Sequence, residues 1–405
     1  MLRLFNSLGK KLERFPYAAG KPVTMFTCGP SVYQKAHIGN FRTFAFEDIV
    51  VRYLEYLGCT VTRGMNLTDI EDKAIAEARV KGMSVRRLTE HHIREFLGEM
   101  KTLKIKVPDY LPRASECVPQ AVALIKKLLD MKRAYWRGGN VYFAPLSFPG
   151  FGKLYGLDMS RWPATTRRFH RDTYPGMQWN LGDFILWHGY RPRDTVSWES
   201  DIGRGRPSWN IQDPSMIAGC FNKTLSVYCG GMDNLFRHHD YTLAVLESVR
   251  PFPMARFWLH CHHLHVRGQK MSKSKGNICY SDDLFRQGYG ANEVRFFLIY
   301  THYRQELDYS PEALQAASEK LRALRAQVRR LSERAGTGPV RDRGLSRRIE
   351  QAFREHMDND LDVKTAVDAL SNVLAGGSPH EARPGEARLA VKTLREIDGV
   401  LRVIF

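Results

Sequence analysis

Short apolar runs alternate with longer stretches of helical period, most regularly near the start of the chain. Val23 to Cys28 (VTMFTC) reads as a buried strand, GPSVYQKAHIGN as a loop punctuated by Gly and Pro, and FRTFAFEDIVVRYLEYLG as a helix. A second strand-like run, CTVTRGMNL, starts at Cys59. It leads into TDIEDKAIAEARV, a helix that Thr68 or Asp69 can cap and whose N-terminal end suits Glu71 and Asp72. Strand, loop and helix in series predict a parallel α/β sheet.

From about 109 to 208 the pattern is irregular, with one helix near 116–132, a hairpin-like GGNVYF and many Gly, Pro, Trp and Arg residues. This segment reads as an insertion between two halves of the sheet. Alternation resumes with LSVYCGG, a helix from about His238 to Val249, and RFWLHCHHLHV from Arg256 as one strand. After Pro311, apolar residues at Leu314, Ala317, Leu321, Leu324, Val328 and Leu331 mark the seam of a long amphipathic helix that opens a bundle. The expected architecture is a Rossmann-type parallel-sheet catalytic domain in two halves, 1–108 and 209–265, split by a connective insertion at 109–208. A loop and stem follow at 266–310, then an α-helical bundle at 311–405.

Composition narrows the function. Sixty-one Lys and Arg against 43 Asp and Glu give 405 residues a formal charge of +18, which suits a polyanionic partner. A 43% hydrophobic content is that of a globular chain and excludes disorder as the main state. No run approaches the roughly 18 apolar residues of a membrane span. MLRLFNSLGKKLERF has no secretory pattern. Seven dispersed cysteines without a Cys-x-x-Cys pair fit a reducing compartment, and a cytoplasmic location is expected.

Two loops carry candidate chemistry. His37, Gly39 and Asn40 lie where a strand's loop opens a helix, a place that suits phosphate. GQKMSKSKGN places Lys270, Lys273 and Lys275 among Ser272 and Ser274 between Gly268 and Gly276. Alternating cations and hydroxyls in a glycine-bounded loop suit the moving charge of a triphosphate. HIGN early and KMSKS late across a split α/β domain resemble the two signature motifs of class I aminoacyl-tRNA synthetases. FTCGPSVYQKAHIGNFRTF, NLTDIEDKAIAEA, DFILWH with Trp198 beyond it, GRPSWNI, GGMDNLFRHHD, FFLIYTHYRQELDYS and MDNDLDVKTAVDAL resemble cysteinyl-tRNA synthetase in particular.

The resemblance implies that an amino acid carboxylate attacks the α-phosphorus of ATP, that pyrophosphate leaves, and that the acyl group passes to a terminal ribose hydroxyl of tRNA. It implies that His37 and Asn40 stabilise the phosphates, and that Lys270 and Lys273 stabilise the departing pyrophosphate with Mg²⁺. Gly29, Gly39, Gly230, Gly231, Asp233, Ser272 and Ser274 would hold the nucleotide. Cys28, Thr68, Trp209, Asp213, His238 and Thr242 would form the side-chain pocket.

The family binds zinc on two cysteines, a histidine and a glutamate, and the matching positions here are Cys28, Asp213, His238 and Thr242. Two of the four ligands are changed. Zinc is therefore expected to be absent, with Asp213 as an alternative third ligand and Asp240 or His239 as replacements for the fourth. Without a soft metal, size alone separates similar side chains by only about 1–3 kcal/mol, so the pattern leaves open both cysteine and a different amino acid as the one selected. A pocket with an anionic Asp213 favours a donor or cation, unless that carboxylate pairs with a neighbouring Arg or His.

Two further points concern partners. The family usually has a further small domain beyond the bundle that helps read the anticodon, and the sequence has room only for the bundle. Acceptors other than tRNA, a carrier protein or a small amine, remain as alternatives, as does a non-catalytic nucleic-acid-binding role. Lys320, Arg322, Arg325, Arg329, Arg330 and Arg334 give the long helix a basic face that could follow a phosphate backbone. His260, Cys261, His262, His263 and His265 alternate along one predicted strand, which points them to opposite faces and away from a shared metal.

Overall fold

The computed structural model describes residues 1–158, 183–271, 276–376 and 382–405. A hairpin of β1 (Arg3–Asn6) and β2 (Lys11–Arg14) precedes the strand β3 (Pro22–Thr27). The helix α1 (Ile38–Tyr56) then runs to β4 (Thr60–Met65). α1 buries most of its circumference, including Arg42, Glu47 and Asp48. Each buried charge has a partner, as burial requires. Arg42 donates to the carbonyls of Leu298, Thr301 and His302, Glu47 pairs with Arg63, and Asp48 pairs with Arg52 and Arg295.

Helices α2 (Asp72–Val80) and α3 (Val85–Thr102) follow. α2 begins later than its sequence suggests, with Glu71 at its N-cap. Thr68 and Asp69 are occupied elsewhere. Thr68 pairs its backbone with Pro30 and Val32, and Asp69 accepts from the amide and hydroxyl of Ser115.

The middle of the chain then leaves the parallel sheet. α4 (Val118–Asp130) is followed by strands β5 (Ala134–Arg137), β6 (Asn140–Phe143), β7 (Phe184–Gly189) and β8 (Gly205–Pro207). They form an antiparallel sheet in chain order.

α5 (Trp209–Cys220) returns the chain to β9 (Leu225–Gly231), α6 (Asp240–Val249) and β10 (Ala255–Cys261). The parallel sheet has the order β10-β9-β3-β4. Cores lie on its two faces, one with α1 and the bundle, the other with α4, α5, α6 and the antiparallel sheet.

RFWLHCHHLHV is two strands and not one. β10 stops at Cys261, and β11 (Leu264–Val266) joins another sheet with β12 (Gln269–Lys270) and β13 (Leu307–Tyr309). The His262 amide turns to the Tyr303 carbonyl at the break. α7 (Ser281–Arg286) and α8 (Ala291–Tyr300) lead to the bundle helices α9 (Pro311–Glu333), α10 (Gly344–Met357), α11 (Val363–Ala375) and α12 (Pro384–Leu401). All six apolar seam positions of α9 are buried. Among the described residues no helix is long and apolar enough to cross a membrane, and all seven cysteines are free.

Candidate active site

β3 has β4 on one side and β9 on the other, so the loops leaving β3 and β9 diverge at their carboxyl ends. That divergence is where doubly wound sheets take ligands. The loop after β3 delivers His37 to the N-cap of α1, and the loop after β9 carries Asp233, His238 and His239.

His37 Nδ1 accepts from the Asn40 amide at 3.3 Å, while Asn40 Oδ1 accepts from the His37 amide at 3.0 Å. A nitrogen that accepts carries no proton, so this bond assigns the ring hydrogen to Nε2. Burial, and then the charge of Lys270, push the His37 imidazole down to about 4 against the pull of Asp233. At neutral pH it is an uncharged donor, and Asn40 retains its side-chain amide hydrogens for a second contact.

The two motif loops touch. A Cβ at Gly39 would lie 2.7 Å from Met271 Cε and 3.0 Å from the His37 ring, so glycine lets the two loops approach without displacing either side chain. Lys270 Nζ is 3.2 Å from Asp233 Oδ2. Burial opposes ionisation of Asp233, but the charges of His263 and Lys270 hold its carboxyl below the usual range. Lys273, Ser272, Ser274 and Lys275 lie outside the described residues.

The remaining glycines divide. Gly230 and Gly231 end β9 at the crevice, where a Cβ on Gly231 would meet Asp233 Oδ1 at 2.7 Å. Gly29 has a packing reason to be glycine. Its Cβ would strike the Asn66 carbonyl, and its amide donates to Asn66 Oδ1 at 2.7 Å. It packs the β3 extension against the segment after β4. Thr68 belongs to that same extension, beside the loop that leads to His37.

The side-chain pocket forms around Asp213, which is fully buried in α5. Asp213 Oδ2 accepts from Tyr228 Oη at 3.1 Å and from His238 Nε2 at 3.0 Å. Trp209 stacks on the His238 ring at 3.8 Å. Cys28 receives the Asn234 amide, Nδ2 to Sγ, at 3.6 Å. Burial first, then the charges of Asp213, Glu47 and Asp233, push the Cys28 thiol well up, so the metal-free site holds a neutral thiol. Glu71 is also drawn in: burial raises its carboxyl, and His238 is among the charges that act on it.

The zinc set implied by the resemblance does not fit these residues. Thr242, buried in the first turn of α6, offers a neutral hydroxyl where a carboxylate ligand is required, and Asp213 puts a carboxylate where a thiolate is required, its Oδ2 engaged by two donors and its Oδ1 buried without a partner. Asp240 is also excluded as a substitute, because its two oxygens accept from the Leu154 and Tyr155 amides at 3.1 and 2.9 Å. His239 does lie beside Cys28 and His238. His260 turns inward and bonds His239, away from His265, which pairs with Glu306.

Sequence reading passed over Tyr228 and Asn234, and took His260 only as part of an alternating histidine run. Only their neighbours in the fold give these three a part in the site, although Asn234 directly follows GGMD.

A switch-point crevice over a parallel sheet, with both motif loops meeting above it, is the catalytic arrangement of class I aminoacyl-tRNA synthetases. The family described as the class I (C) tRNA synthetase catalytic domain matches residues 14–319, and the chain belongs to this cysteinyl-type family of ligases. Cysteine–tRNA ligase of Chlamydia muridarum is 37% identical over 100% of the chain and 88% of its own length. That of Protochlamydia amoebophila is 32% identical over 100% of the chain and 86% of its own. Among solved structures, methionyl-tRNA synthetase from Mycobacterium tuberculosis with methionyl-adenylate shares the fold. Its TM-score is 0.67 at 15% identity, covering 94% of the chain and 92% of the other.

Proposed function

We propose that this protein activates cysteine with ATP as an aminoacyl-adenylate and transfers the acyl group to tRNA. The observation that carries the reading is the meeting of HIGN and KMSKS over the crevice, with Met271 against Gly39 and Lys270 on Asp233. In-line attack at phosphorus needs positioning and charge stabilisation more than acid–base chemistry. His37 Nε2–H and the Asn40 amide donate to the phosphates. Lys270 leaves Asp233 for the departing pyrophosphate, with Lys273 beside it, and frees the carboxylate to accept from the ribose hydroxyls; Mg²⁺, when bound, would supply further charge neutralisation at the phosphates. Gly230 and Gly231 let the adenosine approach the end of β9.

Cysteine is supported by the relatives' names over the full chain. A second reading, a different amino acid, is favoured by one observation: Asp213 and Thr242 replace two family ligands. The acceptor is read as tRNA, in keeping with the +18 charge, and not as a carrier protein or small amine.

Amino-acid-dependent exchange of labelled pyrophosphate into ATP, run over the twenty amino acids and several short diamino and hydroxy acids, tests both. Exchange with cysteine, followed by charging of tRNA, is the expected result. Exchange with another acid alone establishes the second reading, and no exchange with any acid rejects adenylate formation.

A further inference from the structure

We propose that Lys35 is a positioning residue for adenylate formation: by clamping Asp282 and Glu99 it holds the neck of the KMSKS loop against the HIGN loop, and so fixes Lys270 relative to His37. The purpose of the clamp rests on the amino acid activation reading, since that is the reaction whose rate it sets.

The clamp spans three elements. Lys35 lies in the loop after β3, two residues before the α1 N-cap at His37. Its ammonium donates to Asp282 Oδ2 in the first turn of α7, the helix that follows the KMSKS segment. It also stands 3.7 Å from Glu99 Oε1 on α3 and 5.7 Å from the centre of the Tyr280 ring. Glu99 is buried and accepts from Ser281 Oγ at 2.5 Å, so the same carboxylate holds the first residue of α7. α3 is a firm support for it, because Phe96 packs on Phe41 and Phe44 of α1 with ring centroids 6.0 and 5.2 Å away.

From Asp282 the connection runs back to Lys270 in short steps. The Ile38 amide, at the start of α1, donates to the Cys279 carbonyl at 3.0 Å, so the chain leaving the loop lies against HIGN. The Asn277 side-chain amide donates to the Lys270 carbonyl at 3.3 Å and closes the neck. The position of α7 is thereby passed to Lys270, and Lys270 and His37 are two of the groups that act on the phosphates.

Charge makes the lysine necessary. Burial opposes its ionisation, but the hydrogen bond to Asp282 and the charges of Glu99, Asp282 and Glu95 outweigh that and hold the ammonium above the usual lysine range. Burial raises the Glu99 carboxyl, Ser281 and Lys35 pull it down, and Asp282 and Glu95 act on it as like charges. Glu99 Oε2 is buried without a partner. Without the ammonium, α3 and α7 would face each other with carboxylates alone and would move apart. Half-exposed ion pairs add little to folding, and the Asp282 side chain is 50% exposed. Attack at phosphorus responds differently, because a misplacement of about 1 Å can cost on the order of 100-fold in rate. Loss of Lys35 is therefore expected to fall on rate more than on stability.

Single-turnover adenylate formation by the full-length protein, followed through release of labelled pyrophosphate, tests the rate. Lys35→Ala should slow it at least about tenfold with KM for ATP held within about twofold, the split expected of an interaction felt only in the transition state. The thermal unfolding midpoint should not move. Lys35→Arg should keep most of the rate. Asp282→Lys should be slow, and Lys35→Asp combined with Asp282→Lys should be faster than either single variant. If Lys35→Ala does not fold, Asp282→Asn at the half-exposed end carries the same measurements.

A second readout needs no activity. Burial and the Lys270 charge hold the His37 imidazole near 4 against Asp233, and Lys35 is not among the charges that act on it. In Lys35→Ala the His37 midpoint by NMR should move upward from about 4 as Lys270 draws away, and in Lys35→Arg it should stay.

An unchanged rate in folded Lys35→Ala overturns the proposal. A raised KM for ATP at unchanged kcat also overturns it, since Lys35 would then be a phosphate ligand, as does an exchanged pair no faster than its single variants. Adenylate formation by the unaltered protein with an unmoved His37 midpoint in Lys35→Ala rejects the clamp and leaves activation standing. No adenylate with any acid rejects activation, and the His37 midpoint then decides the clamp by itself, upward upholding it and unmoved rejecting it.

Discussion

His37 is set by its surroundings more than by its own chemistry. Burial and the Lys270 charge both disfavour the imidazolium, which places its titration near 4, well below the ordinary value of about 6.5. Protonation would therefore cost folded protein stability as pH falls from about 6.5 toward 4, because the unfolded chain takes up that proton first. NMR titration of ring-labelled His37 should give a midpoint near 4, and Lys270→Ala should move it upward, since a repelling charge is gone. A midpoint near 6.5 that ignores Lys270 would remove the neutral-donor role from His37. HIGN was legible as a motif, but the neutral state and the Nε2 hydrogen were not. They follow from Asn40 folding back on the ring and from a lysine that only the folded chain brings near.

At the scale of elements, α1 joins the site to the rest of the molecule. Its N-terminus carries His37, and its buried Asp48 accepts from Arg295 at 2.6 Å and from Arg52 at 2.7 Å. Arg295 also donates to the carbonyls of Leu401 and Leu103, which ties α1, α8 and the end of α12 together. Burial opposes the Asp48 charge, yet Arg295 and Arg52 outweigh it and hold the carboxyl below its usual range. Its contribution is present at neutral pH and lost as acid protonates it.

Asp48→Ala should cost about 3–5 kcal/mol in denaturant unfolding, because it leaves the Arg295 charge buried and unpaired. A loss under about 1 kcal/mol would mean that the network is not stabilising. The apolar pattern located α1 and α9 well, since helical period survives in sequence. It placed the start of α2 too early and fused β10 with β11. Local propensity does not register that Asp69 is needed by Ser115 or that the His262 amide turns to Tyr303.

For the molecule as a whole, charge indicates where a polyanion would lie. Several cations of α9 are internally engaged: Lys320 with Asp368, Arg322 with Glu293, and Arg325 with the Ile404 carbonyl. Arg329 and Arg330 on the same helix and Arg334 at its C-cap are exposed. Reversing these three to Glu should weaken tRNA binding by at least tenfold at low salt and flatten its salt dependence, with pyrophosphate exchange unchanged. Filter binding across a salt series measures it, and an unaltered slope would move the tRNA path off α9. Six cations read as one basic face are thus two sets, because bundle packing supplies carboxylates and a carbonyl to half of them.

Sequence by itself determined the parts whose information is local: the strand, loop and helix series, the seam of α9, the two motif loops, and the loss of two family zinc ligands. Tertiary structure alone decided which side chains meet around those changed positions. Asp213, Tyr228, His238, His239, Cys28 and His260 come from five separated stretches of chain, and which of them pair with each other depends on distances of about 3 Å. No periodicity encodes such distances. They are set when β3, β9 and β10 align side by side and α5 closes over their ends.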